Sequence, residues 1–284
     1  MNREADLAAV TDWIGRTETT DDVASAAPAI ALSALLDRDD PPPRAGDPLP
    51  PLSHWLHFLP MHRQSEVGPD GHPRRGGFLP PVPLPRRMWA GSRLEFLLPL
   101  RVGETIHRLS RIADVKVKHG RSGALVFVTV RHEVSGAAGL AIADEHDIVY
   151  RGDAGPAVAA PVPSATDETW SRRIVPDPVL LFRYSAVTAN GHRIHYDHPY
   201  VTKVEGYPGL VVHGPLIATL LLDLLVRSLP HVEPRTFTFR AVRPLFDTAA
   251  FSVCGRPSAD GKTAELWTRD AEGAVTMQAT ATWH

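Results

Sequence analysis

From Leu216 to Leu225 the chain is apolar at nearly every position. Leu216, Leu220 and Leu224 fall in one row at helical spacing, and Ile217, Leu221 and Leu225 in the row beside it. Apolar residues recurring every four positions predict a helix, and two adjacent rows predict one buried over most of its circumference. Pro215 stands just before the rows, in a first turn where a missing N–H has no intrahelical bond to lose. Four segments with strand character follow: Arg235–Arg243, Thr248–Gly255, Thr263–Thr268 and Ala274–Trp283. Thr236-Phe237-Thr238-Phe239 alternates polar and apolar, as a half-buried strand does. Asp260-Gly261 and Glu272-Gly273, between the later segments, admit the positive φ of tight hairpins.

The first half of the chain repeats this order. Asp21 or Asp22 is placed to cap a helix running to about Leu36, and strands are predicted at Arg93–Leu98, Thr105–Lys118, Ala124–Val134 and Leu140–Tyr150. Pro99–Thr105 and Pro244–Thr248 hold equivalent places, each after the first long strand. The repetition predicts two copies of one α+β unit, an antiparallel sheet wrapped round a long buried helix. The boundaries are 1–153 for the N-terminal unit, 154–165 for a linker rich in Gly, Pro and Ala, and 166–284 for the C-terminal unit. Residues 41–87 form an arm dense in Pro, Gly and His. Its aromatics Trp55, Phe58 and Phe78 predict order, packed over the sheet either at the substrate entrance or as a structural overhang.

Charge and composition narrow the partners. A formal net charge of −2 with scattered basic residues argues against nucleic acid, which is held through clustered Lys and Arg. Cys254 is the single cysteine, so no intrachain disulfide is available and a reducing compartment suits the chain. Met1–Asp12 lacks the basic-then-apolar order of a secretory signal. Leu216–Leu229 contains Asp223 and Arg227 and falls short of the ~20 apolar residues a membrane span needs. A cytoplasmic protein without a membrane partner is predicted.

The chemistry concentrates between Tyr184 and Gly214. Asn190, His192, His195 and Asp197 share one short segment, and His213-Gly214-Pro215 opens the buried helix. His195 suits a general base, because imidazole titrates near working pH. Asn190 would orient a water or a thioester, and Asp197 would fix the tautomer of a neighbouring histidine. The N–H of Gly214, aided by the helix dipole, would donate to a developing oxyanion. A base beside an anion hole is what addition of water across an activated double bond requires. Each residue also has a plainer role open to it: a turn at Asp197 before Pro199, a structural or exposed ring at His192, close packing at Gly214. His192-x-x-His195 has no following glutamate and no nearby cysteine, so no metal site is predicted. Ser185 lies in no Gly-x-Ser-x-Gly elbow, Cys254 reads as a core residue, and no Gly-x-Gly-x-x-Gly follows a strand.

The segment Asn190–Asp197 with His213-Gly214 resembles the signature of MaoC-like, type 2 enoyl-thioester hydratases of the hotdog fold. In that pattern, roughly Asp-x-Asn-Pro-x-His-x-Asp, Asn190 falls at the catalytic Asp and His192 at the Asn. His195 falls at the catalytic His and Asp197 at the trailing Asp. The chain departs from the pattern twice: an amide replaces the carboxylate paired with the base, and Arg193 replaces the proline. A wider resemblance rests on Trp13-Ile14-Gly15-Arg16, Gly68-Pro69-Asp70-Gly71-His72-Pro73, Pro85–Gly91, Ile148-Val149-Tyr150-Arg151 and Asn190–Asp197. These look like the mesaconyl-C4-CoA and itaconyl-CoA hydratase group, whose relatives resemble mitochondrial 3-hydroxyacyl-thioester dehydratases. The resemblance implies a double hotdog with a noncatalytic first half. It also implies a CoA-thioester substrate, no cofactor beyond the CoA that belongs to that substrate, and substrate contacts at Trp89, Gly91 and His213.

Mesaconyl and itaconyl groups carry a free carboxylate, which calls for a nearby cation. Arg193, flanked by Arg183 and Lys203, is placed to meet it, while Arg86 and Arg87 suit the CoA phosphates. Surface ion pairs are the plainer role for each. Two alternatives stand beside a C5-dicarboxylyl-CoA hydratase: a broader 3-hydroxyacyl-CoA or acyl-carrier-protein dehydratase, and a noncatalytic acyl-CoA-binding hotdog protein. A homodimer of double hotdogs is compatible with either enzyme.

Overall fold

The computed structural model describes residues 7, 9–120, 123–152 and 160–284. The N-terminal half contains β1 (Thr17–Val23), α1 (Ala26–Leu35), β2 (Arg86–Phe96), β3 (Thr105–Gly120), β4 (Gly123–Gly136) and β5 (Gly139–Arg151). The C-terminal half contains β6 (Trp170–Ile174), α2 (Pro178–Val187), α3 (His198–Lys203), α4 (Gly214–Ser228), β7 (Pro234–Ala241), β8 (Phe251–Pro257), β9 (Thr263–Arg269) and β10 (Val275–Trp283). All strands join one ten-stranded antiparallel sheet in the order β1-β3-β4-β5-β2-β7-β10-β9-β8-β6. The two halves therefore repeat one strand order about a central two-fold: the first strand of each lies at an outer edge and the second at the centre. β2 and β7 form the seam, paired from Gly91↔Arg240 to Glu95↔Thr236. Gly91 lets them close, since a Cβ there would sit 2.4 Å from the Phe239 carbonyl oxygen.

The long apolar run forms α4 because ten consecutive residues, Leu216 to Leu225, are buried, Asp223 among them. Each fully buried Leu or Ile removes enough apolar surface to stabilise the fold by about 1.5–3 kcal/mol. The helix lies against the C-terminal half-sheet, where Phe237, Phe239, Val253, Leu266, Met277 and Ala281 complete its core. The Asp223 carboxylate is tolerated there because three guanidiniums converge on it: Arg38 at 2.7 Å, Arg172 at 3.0 Å and Arg227 at 2.7 Å.

Three expectations need correction. Asp21 and Asp22 do not cap the first helix. They belong to β1, which pairs with β3 from Thr17↔Arg111 to Val23↔Thr105, and Asp22 Oδ2 instead accepts the Phe58 N–H at 2.6 Å. The strand ladder wins because it satisfies more backbone groups than one cap does. β2 begins at Arg86 rather than Arg93, so the basic pair lies within a strand.

The third correction concerns the first helix. α1 spans ten residues, and its Leu32 and Leu35, with Leu36, join the core around α4. The N-terminal half-sheet is covered instead by the arm. Val82 and Leu84 pack with Ile112, Val126, Val128 and Val130, and Phe58 packs with Ile106, Val134 and Ile142. Residues 154–159 of the predicted linker lie outside the described residues. Its remainder bonds to the C-terminal half, through Ser164 N–H to Gly273 O at 2.9 Å and Val275 N–H to Val162 O at 2.9 Å. No helix among the described residues is long and apolar enough to cross a membrane.

Candidate active site

Local sequence builds the loop that presents the histidines. α2 starts at Asp177, whose Oδ1 accepts the Leu180 N–H at 2.7 Å, and Pro178 follows in the first turn. It stops at Thr188, whose hydroxyl donates back to the Tyr184 carbonyl at 2.7 Å. Ala189 then takes a positive φ of 48° and turns the chain. Asn190 closes the turn: its N–H donates to Ser185 O at 2.8 Å, and its Oδ1 accepts the His192 N–H at 3.0 Å. Arg193–His195 form one 3-10 turn, after which Asp197 caps α3 by accepting the Tyr200 N–H at 3.0 Å.

His195 is buried, 7% exposed, with Nδ1 2.7 Å from the Val211 carbonyl. A carbonyl only accepts, so Nδ1 carries the proton and Nε2 keeps a free lone pair. Burial pulls its pKa down to about 4, against the opposing pull of that carbonyl, so the ring is neutral at pH 7. Its face stacks on His213 at 3.7 Å and 18°. His213 is the N-cap of α4, fully buried, with Nε2 2.9 Å from the Ser185 hydroxyl. Gly214 follows in the first turn, where N–H groups have no partner within the helix. The Trp89 carbonyl of the N-terminal half lies 3.8 Å from where a Gly214 Cβ would stand, so both halves wall this end of the site.

On the other side of His195 the rings continue. His192 lies 5.5 Å away at 90°, and His72 of the arm lies 4.0 Å beyond His192. Burial, then the neighbouring His72 and His195, bring His192 down to about 2. The arm reaches this place through a tight turn, Val67–Pro73, docked onto the Asn190 loop. Arg193 N–H donates to Asp70 O at 2.9 Å and Arg193 Nη1 to Pro69 O at 2.9 Å. Gly71 and Gly191 meet backbone to backbone: a Cβ on Gly71 would fall 1.8 Å from Gly191 O.

The predicted residues divide. His195, His192, His213, Gly214, Asn190 and Trp89 come together. Asp197 serves elsewhere: its carboxylate caps α3 and holds Arg193 at 2.7 Å. Arg193 is correspondingly committed, stacked 4.1 Å over Tyr200 and bonded to Asp197 and Pro69. Arg86 is paired with Glu205 at 3.7 Å and lies over Tyr207. Arg183 is exposed on α2, and Gly91 serves the seam. Arg87 is half-buried on β2, opposite Tyr150, and its charge acts on His72 and His192.

Two features escaped the sequence. Asp70 and His72 carried the resemblance but had no role assigned; the Asp-Gly-His turn between prolines was the available signal. The second is a polar cluster inside the N-terminal half. Asp144, 1% exposed, accepts on one oxygen from Trp55 Nε1 at 2.8 Å, His54 Nε2 at 3.2 Å and His146 Nε2 at 2.7 Å. Burial opposes its ionisation, but His146 and His54 hold the carboxyl well below the usual range. The His146 ring in turn lies 4.2 Å from Trp89, tilted by 32°.

A family model described as hydroxyacyl-thioester dehydratase type 2 matches residues 52–247. The mesaconyl-C(4)-CoA hydratase of Chloroflexus aurantiacus is 48% identical over 273 residues, covering 94% of this chain and 95% of its own. A solved MaoC-like dehydratase superposes with a TM-score of 0.71 at 13% identity, covering 97% of this chain and 99% of its own. A conserved Mycobacterium tuberculosis protein, described as a double hotdog fold, superposes with a TM-score of 0.53 at 12% identity, covering 95% of this chain and 96% of its own. The fold is a double hotdog.

Proposed function

Because the chain belongs to the hydroxyacyl-thioester dehydratase type 2 family, we propose that it reversibly adds water to an enoyl-CoA thioester. The substrate is a C5 dicarboxylyl-CoA, mesaconyl-C4-CoA or itaconyl-CoA. The substrate class is supported by identity to the Chloroflexus aurantiacus hydratase over almost the whole of both chains. The chemistry is carried by one observation: His195, neutral and with Nδ1 committed to Val211, beside the free first-turn N–H groups of α4.

In this scheme His195 Nε2 takes a proton from water as the water oxygen bonds to the β-carbon. The π electrons move to the thioester oxygen, which accepts from the Gly214 N–H with help from the helix dipole. The imidazolium then returns its proton to the α-carbon as the C=O re-forms, so one H and one OH are added in total. CoA is part of the substrate, and the scheme calls for no cofactor. Asn190 shapes the turn and cannot act as a base. With Arg193 held by Asp197, Arg87 is the cation assigned to the substrate's free carboxylate.

Purified protein should hydrate itaconyl-CoA or mesaconyl-C4-CoA in preference to crotonyl-CoA, followed by loss of enoyl-thioester absorbance. His195→Ala should lower kcat by roughly 100-fold or more. Arg87→Gln should raise KM for the dicarboxylyl substrate and leave crotonyl-CoA little changed. Preference for crotonyl-CoA would favour the broader dehydratase of the family description. Binding of CoA esters without turnover would favour the noncatalytic alternative.

A further inference from the structure

His195 can take one hydrogen of the attacking water; a second acceptor is needed to hold the other hydrogen and aim the oxygen lone pair at the β-carbon. Asn190 is poorly placed for this. Its Oδ1 already accepts the His192 N–H at 3.0 Å, and an amide carries no charge. The arm offers an alternative.

We infer that His72, oriented by Asp70, is a second catalytic imidazole of this site, accepting the other hydrogen of the attacking water. The inference rests on the hydratase proposal above. His72 Nδ1 lies 3.0 Å from Asp70 Oδ2, and a carboxylate only accepts, so Nδ1 carries the proton and Nε2 is left as the acceptor. The Asp70 carboxylate is itself fixed, because its Oδ1 accepts the His72 N–H at 3.0 Å. The imidazole side chain is 20% exposed and lies 4.0 Å from His192, next in the row to His195.

The docking that brings it there is built, not incidental. Two glycines permit backbone contact where any Cβ would clash, and Arg193 ties the turn with both its N–H and its guanidinium. Burial keeps His72 below its ordinary pKa despite Asp70, so the ring is an acceptor at neutral pH. No electrons or atoms beyond those of the hydration are involved, since His72 holds a hydrogen bond while His195 moves the proton.

Asp70, His72 and His192 also place ligand atoms within 4.8 Å of one another. Arg75 and Arg87 add positive charge at this place, acting on His72, which disfavours a cation. Chelation nevertheless belongs in the test.

The experiment compares wild type with His72→Ala, His72→Gln, Asp70→Asn and the double variant Asp70→Asn/His72→Ala, using the preferred thioester and monitoring thermal midpoints alongside. His72→Ala is expected to lower kcat by roughly 100-fold with KM within about threefold of wild type. Asp70→Asn should lose less. It should also move the acid limb of the kcat profile to lower pH, because the imidazole loses its carboxylate. The double variant should be no worse than His72→Ala, because Asp70 acts through His72.

Near-wild-type kcat in His72→Ala would overturn the inference, as would an unmoved acid limb in Asp70→Asn. Activity abolished by EDTA and restored by zinc would overturn it too. A wild type that hydrates no thioester sinks the hydratase proposal first. Nitrogen NMR then decides separately: His72 protonated on Nε2 with Nδ1 bare would overturn the Asp70–His72 pair, and the reverse would support it.

Discussion

Acidification should destabilise this protein before its carboxylates titrate. His195 and His213 are buried, while His192 in the same row and His132 in the N-terminal half are half-buried; desolvation lowers the pKa of all four. In the unfolded chain a histidine titrates near ~6.5. The sign follows from linkage: where the unfolded state binds more protons, stability rises with pH. The stabilisation is therefore complete above about pH 6.5 and declines as pH falls, until the folded value is reached, about 4 for His195. His195 alone accounts for about 1.3 kcal/mol between pH 7.5 and 5.5. The other histidines held below their ordinary value, His192, His213, His132, His72 and His54, act in the same direction, against a typical total stability of ~5–15 kcal/mol. Urea unfolding at pH 7.5, 6.5 and 5.5, followed by tryptophan fluorescence, measures the loss directly. Stability that is flat or rising across this interval would refute the assignment of buried neutral imidazoles.

Two carboxylates should prove unusually costly to remove. Asp144→Ala strands N–H groups of Trp55, His54 and His146 in the interior. It should cost about 3–5 kcal/mol in urea titrations. It should also lower activity, because His146 supports Trp89 at the seam. Asp223→Ala removes the buried carboxylate that Arg38, Arg172 and Arg227 share, leaving Asp40 on Arg38 and the exposed Asp37 3.9 Å from Arg172 as the remaining counter-charges. A loss of similar size, about 3–5 kcal/mol, should appear as a lower thermal midpoint, and Asp223→Asn should recover part of it.

What the sequence made legible was local. α4 was visible because two apolar rows run unbroken, and the last hairpins because Asp-Gly and Glu-Gly mark them. β1 was not: an edge strand with no buried position, Thr-Glu-Thr-Thr-Asp-Asp-Val, has no apolar face to show. β6 was missed for a similar reason. The histidines of the Asn190 loop stood out because they are neighbours in the chain. Asp197 and Arg193 were visible as residues and misleading as roles, since each found its partner four positions away and left the substrate side. His72 depends on the docking of an arm more than a hundred residues upstream of His192, and Asp144 on His54, ninety residues away. No period or spacing encodes such meetings.

The seating of N-terminal leucines in the C-terminal core bears on how the chain comes off the ribosome. Leu32, Leu35 and Leu36 emerge early, yet their seat is the core around α4, and Arg38 beside them pairs with Asp223 as well as with its neighbour Asp40. The nascent N-terminal half can pair its own hairpins. It must nevertheless wait with its first helix undocked, and with the outer edge of β2 open, until β7 arrives. Synthesis of the last third of the chain is thus the step that commits the whole molecule, and a stalled or truncated product would expose a sheet edge ready to pair with a neighbour.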